Sequence, residues 1–219
     1  MADALLALHF QNDICHPDGA IPFSLNRNTP EAEAFLAAAR RALAAARRKG
    51  WVIAHVHMGF AADYSDLPRH ALLFQKAKKF DAVKRGTWGA APYAGFEPRD
   101  GEIVVSRPRN SAFHGTGLEA MLRDRGVDTL HVMGLATQFS VESTVRAASD
   151  MDFQIEVLAD CCASADMDAH RASLKAMAML ADVTSAKAKA KPKKKAKPAP
   201  SRARATPARP SRRTRASSR

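Results

Sequence analysis

Four polar side chains stand where short apolar runs end. His9 lies in "ALLALHF", His57 in "WVIAHVHM", Arg107 closes "EIVVSR", and Ser140 follows "TLHVMGL" within "MGLATQFSVESTVRAASD". A serine in the first turn of a helix is a nucleophile, a helix cap or the remnant of a lost nucleophile, depending on what faces it. Histidine, whose reference pKa is about 6.5, is the usual group to take a serine proton near neutral pH. Arginine stays charged and cannot serve as a proton donor, but it binds carboxylates and developing oxyanions. Each residue also has a plain structural reading: a strand-end histidine satisfied at an edge, a solvated arginine, a capping serine.

Their joint placement depends on the elements around them. Residues 4–10, 51–58, 102–107, 129–135 and 153–159 are apolar runs of strand length, the pattern of strands buried on both faces of a parallel sheet. The segment "TPEAEAFLAAARRALAAARRKG" carries a complete helix signature: Thr29 as N-cap, Pro30 at the first position, glutamates early, arginines late and Gly50 as stop. Further helices fit 117–125, 138–149 and 168–180. Alternating strand and helix predict a doubly wound α/β domain, a three-layer α/β/α sandwich with a mainly parallel sheet. Such sheets place their sites beyond the carboxyl ends of the strands, where His9, His57, Arg107 and Ser140 all fall. Phe10, Phe113 and Trp88 complete a predicted pocket for a small planar carboxylate.

The formal charge of +12 belongs to one end of the chain. Seven lysines and seven arginines, and no acidic residue, lie from Lys187 onward, so the rest holds 20 basic residues against 22 acidic ones. The expected division is a domain over 1–185 and a tail over 186–219. The tail's Lys, Arg, Ala and Pro offer no large apolar residue to bury, so disorder is expected there, with nucleic acid or another polyanion as the natural partner. The competing reading is a solvated extension without a dedicated partner. Three cysteines, Cys15, Cys161 and Cys162, imply no disulfide framework. No run approaches the roughly 18 apolar residues of a membrane span, and a cytoplasmic protein is expected.

Three stretches carry a family resemblance. "LLALHFQNDICHPDG", "RPRNSAFHGTGLEAMLRDRGVDTLHVMGLATQFSVESTVRAASDMDF" and "EVLADCCASADMDAH" resemble, in order and spacing over residues 3–183, the isochorismatase-like cysteine hydrolases. The resemblance implies a homo-oligomeric α/β hydrolase acting on a small substrate. Such amidases use an Asp, a Lys and a Cys. The matching positions here hold His9, ahead of "FQND"; Arg107, four residues before "SAF"; and Ser140, three after the Thr of "GLAT". All three side chains differ.

The changes are chemically paired. A thiol ionises readily beside a carboxylate, whereas a serine hydroxyl needs a base such as histidine. His9 as base with Ser140 as nucleophile is therefore one expectation, with an amide, ester or vinyl ether as substrate. The family's oxyanion hole maps to the backbone N–H groups of Ala136 and Ser140. A catalytically silent small-molecule binder on the same scaffold is the alternative. His55 and His57 share a strand face, but the D-x-H element of metal-bearing relatives is absent, since Ile53 and Ala54 precede His55. No metal and no cofactor are expected.

Overall fold

The computed structural model describes residues 2–186. The polybasic tail from Lys187, with its expected disorder and polyanion binding, lies outside the described residues.

Six strands, β1 (Ala2–Leu8), β2 (Val52–Met58), β3 (Ile103–Arg107), β4 (Val127–Leu135), β5 (Gln154–Ala163) and β6 (Asp182–Thr184), form one sheet in the order β3-β2-β1-β4-β5-β6. Every pairing is parallel. α1 (Asn12–Cys15), α2 (Pro30–Arg48) and α3 (Leu72–Lys79) share an apolar core with one face of the sheet. α4 (Leu118–Arg123), α5 (Glu142–Asp150) and α6 (Met167–Met177) contribute to the core on the other face. The three-layer expectation is met. α1, α3 and β6 lie outside the predicted elements, β5 extends through Asp160–Ala163, and α6 stops at Met177.

Local chemistry explains the main helix. The Thr29 side chain accepts from the Ala32 N–H at 3.2 Å, Pro30 occupies the first turn with Glu31 and Glu33, and Arg47 and Arg48 occupy the last. A cap of this kind contributes about 1 kcal/mol. The helix buries Phe35, Leu36, Ala39 and Leu43 against the sheet.

Successive strands are added outward on one side from β1 to β3 and on the other from β4 to β6, so a crevice opens where β1 and β4 end. Gly134, at φ +140°, lets β4 press on β1 there. A Cβ at this position would overlap the Leu8 carbonyl oxygen and lie 2.6 Å from Leu8 Cβ. The chain then enters a π turn at Thr137–Val141, which leads into α5.

The "QND" triplet stitches the loops beside the crevice. Gln11 Oε1 accepts from the Met58 N–H at 2.7 Å, while its Nε2 donates to the Met58 and Ala90 carbonyls, both at 2.8 Å. Asn12 donates to the Trp88 carbonyl at 2.8 Å. Asp13 accepts from the N–H groups of Val83 (2.6 Å) and Ala20 (3.2 Å). This triplet fastens the 81–92 loop to the sheet.

Candidate functional site

His9 follows β1 with φ +63°, a left-handed conformation that His, Asn and Asp adopt more readily than other non-glycine residues. Its N–H donates to the Val56 carbonyl at 2.8 Å, and its side chain is buried. Arg107 ends β3 and is only 2% exposed. Its Nη1 donates to His9 Nε2 at 3.4 Å, and its Nη2 donates to the Asn110 carbonyl. Because guanidinium nitrogens only donate, His9 Nε2 must accept, and the imidazole proton sits on Nδ1.

Three buried polar atoms here lack a partner in good hydrogen-bonding geometry among the described residues: His9 Nδ1, with the Gln11 side chain as its polar neighbour, Arg107 Nε and Asn110 Oδ1. No carboxylate lies within ion-pair distance of Arg107 among the described residues either. Burying an arginine without a counter-charge is costly, and burial pulls its pKa from 12.5 down to about 9. It remains a cation at neutral pH. Burial, then the charges of Arg107 and His57, hold His9 well below the usual histidine range, so it is neutral.

His9, Asn110, Ala136, Phe139 and Ser140 meet around one small cavity of about 40 Å³, closed on its apolar side by Phe23, Met58, Leu73 and Phe74. Ser140 belongs to the π turn and is 4% exposed. Among the described residues, no hydrogen bond joins it to His9. The cavity has room for water and not for a drug-sized molecule, since typical ligand pockets measure several hundred Å³.

The other predicted pocket residues lie elsewhere. Phe10 is a core residue, stacked on Phe96 at 4.0 Å and on Phe35 at 5.8 Å, because its side chain faces α2. Phe113 packs on Phe153 in the opposite core layer. Trp88 is 53% exposed and meets His16 edge-on. His57 sits beside His55, with ring centroids 6.2 Å apart, and does not line the cavity. Burial, His55 and Arg107 push its pKa down to about 4, so it belongs to the electrostatic surroundings of His9 and Arg107.

His55 bonds Glu102 at 2.8 Å, and Arg47 grips the same carboxylate at 2.7 and 2.8 Å. Burial alone would raise the Glu102 pKa; the bonds from Arg47, the Arg99 N–H and His55 hold it at about 2. No group of three or more His, Cys, Asp or Glu is placed to hold a metal among the described residues. All three cysteines are buried thiols whose pKa is raised by burial, to about 12 for Cys15 and Cys162, so none is poised as a nucleophile.

The sequence reading missed Asn110 and the walls formed by Phe23, Met58, Leu73, Phe74 and Phe139. Asn110, within the "RPRNSAF" stretch three residues past Arg107, had a signal in its position.

Residues 3–188 match the family model described as the isochorismatase domain. This chain belongs to the isochorismatase family. The isochorismatase family protein YecD of Escherichia coli O157:H7 is 30% identical over 157 residues, covering 72% of this chain and 80% of that one. The ureidoacrylate amidohydrolase RutB of Methylobacterium radiotolerans is 31% identical over 186 residues, covering 78% and 70%. Among solved structures, an isochorismatase family protein from Desulfovibrio vulgaris superposes with a TM-score of 0.75 at 29% identity, over 86% of this chain and 96% of that one. Within this isochorismatase fold, the crevice between β1 and β4 carries His9, Asn110 and Ser140. No helix among the described residues is long and apolar enough to cross a membrane.

Proposed function

We propose that this isochorismatase-family chain hydrolyses a small anionic amide or ester, with Ser140 as nucleophile, His9 as its base and Arg107 as the charge that draws the substrate in. The observation that carries this reading is the buried Arg107 without a carboxylate, next to the unpartnered His9 Nδ1–H and the Asn110 side chain. Arg107 lies behind the cavity wall rather than on it, and its charge and orphan Nε–H, with the His9 Nδ1–H, are what an absent anion would satisfy, whereas the orphan Asn110 Oδ1 calls for a donor such as a substrate amide N–H. The relative named as an amidohydrolase of ureidoacrylate, an anion, fits the same chemistry.

The steps follow from proton positions. At rest, His9 Nε2 is occupied by Arg107. A carboxylate competing for the guanidinium releases that lone pair, which then accepts the Ser140 proton as Oγ attacks the substrate carbonyl. The backbone N–H groups of Ala136 and Ser140 are the donors for the oxyanion. His9 returns the proton to the leaving amine or alcohol, and water repeats the sequence on the acyl-serine. A neutral imidazole suits this base role better than it suits protonation of a vinyl ether. The aromatic wall must move outward to admit any such substrate.

Turnover of a panel of small amides and esters bearing a carboxylate tests the proposal. Ser140→Ala and His9→Ala should each abolish turnover, and the double variant should be little worse, because parts of one unit are not additive. Equal turnover by Ser140→Ala and wild type removes Ser140 as nucleophile. The lack of a His9–Ser140 hydrogen bond favours a second reading, a silent anion-binding protein. In that case wild type binds small carboxylates without turnover, and Ser140→Ala binds them equally.

A further inference from the structure

A second cavity, about 300 Å³, opens on the far side of the 21–26 segment. Phe23 and Ser24 face the first cavity, whereas Leu25 and Asn26 face this one. Its walls are Ala32 and Phe35 from α2, Ala163 from the end of β5, and Met167 and His170 from α6. Asn26 fixes the shared segment by donating to the Ala165 carbonyl at 2.9 Å.

Among the polar residues on its walls, Asn26, Thr29 and Ser164 are bonded to the backbone, Glu31 brings a carboxylate, and His170 brings an imidazole. The Thr137 hydroxyl donates to the Ala163 carbonyl at 3.0 Å, which uses its only hydrogen. The contact between Thr137 Oγ1 and His170 Nδ1, at 2.8 Å, must then be donated by the imidazole. His170 Nε2 is left as a bare acceptor, without a partner among the described residues, on a side chain 9% exposed. Burial, then Arg171, lowers the His170 pKa, so the ring is neutral. No lysine or arginine lines the cavity, and Glu31 does, which disfavours anions.

We infer that this cavity binds a small uncharged aromatic carrying one O–H or N–H donor, with the ring between Phe35 and Met167 and the donor on His170 Nε2. The volume matches a compact pocket, aromatic and thioether walls suit a ring, and the acceptors at His170 and Glu31 select a donor-bearing ligand over its bare hydrocarbon. The site is separate from the serine crevice and does not depend on hydrolysis there. The 21–26 segment is the wall that the two cavities share.

Full-length protein labelled at its methionine methyls provides the test, because Met167 lines this cavity and Met58 lines the other. Titration with p-cresol should shift the Met167 resonance and leave Met58 in place. Toluene and 4-methylanisole, which lack the donor, should bind roughly 3- to 10-fold more weakly, the range one net hydrogen bond supplies. Ala32→Phe, which fills the cavity, should weaken p-cresol at least tenfold. The inference falls if Met58 shifts instead, if no methyl shifts, or if the donor-free compounds bind wild type as tightly. The wild-type comparison stands even if Ala32→Phe does not fold.

Discussion

Replacing Arg107 by methionine should stabilise the protein while weakening its hold on anions. A fall from 12.5 to about 9 corresponds to roughly 5 kcal/mol of unfavourable charge burial at neutral pH. Two bonds oppose this, one to His9 and one to the Asn110 carbonyl, together contributing about 2 to 4 kcal/mol. Methionine fills similar space without a charge, so the net gain should be about 2 kcal/mol, or about 4–8 °C in Tm for a domain of this size. Urea unfolding at pH 7 measures it. The guanidinium is charged in both the folded and the unfolded state, so the cost of burying it is full. A variant less stable than wild type at pH 7 by more than about 1 kcal/mol would refute the view of Arg107 as an uncompensated buried charge.

The His57 pKa of about 4 makes folding acid-labile: between pH 6.5 and 4 the unfolded chain takes up a proton that the folded chain does not, a loss of about 3 kcal/mol, so His57→Gln should flatten urea stability across that window. Identical pH profiles for the two proteins would count against this. Gly134→Ala, which places a methyl against Leu8, should cost more than about 3 kcal/mol or prevent folding, as read by thermal melting. Arg107→Leu should weaken binding of a small carboxylate about tenfold more than that of its neutral amide, measured by calorimetry; equal weakening would leave Arg107 a structural part only. Truncation after Ala186 should remove salt-dependent, sequence-independent DNA binding, and retention of that binding at the same salt would exclude the basic tail as its source.

The layered fold could be read locally because its signals are local: Thr29 with Pro30 starts α2, and apolar runs too short for helices mark five of the six strands. α3 escaped because "LLFQKAKK" mixes apolar and basic residues and begins at Ala71 without a side-chain cap. The π turn at Ser140 has no composition of its own. At the site, position along a strand identified His9, Arg107 and Ser140, but not their relations. Arginine is usually exposed, so nothing local announced that Arg107 would be buried and bonded to His9. Phe10 and Phe113 adjoin the motifs yet face the core layers, Phe139 directly precedes Ser140 in its motif, and Phe23 and Phe74 come from segments that only the tertiary fold brings together.

The stitching by Gln11, Asn12 and Asp13 leaves the crevice with two mechanically unlike walls, one at Met58 and one at α3. On one side, directional bonds to Met58, Ala90, Trp88 and Val83 clamp the backbone, and moving it means breaking several of them together. On the other, α3 rests on the domain through Phe74 and Ala77, and Phe74 meets Phe60 edge-on, contacts that can slide with little loss. A guest would therefore be let in by the α3 wall. Its charged head would be gauged by a rigid seat, while its body would be gauged by a surface that conforms to it, so the crevice should be strict about the head and lenient about the body.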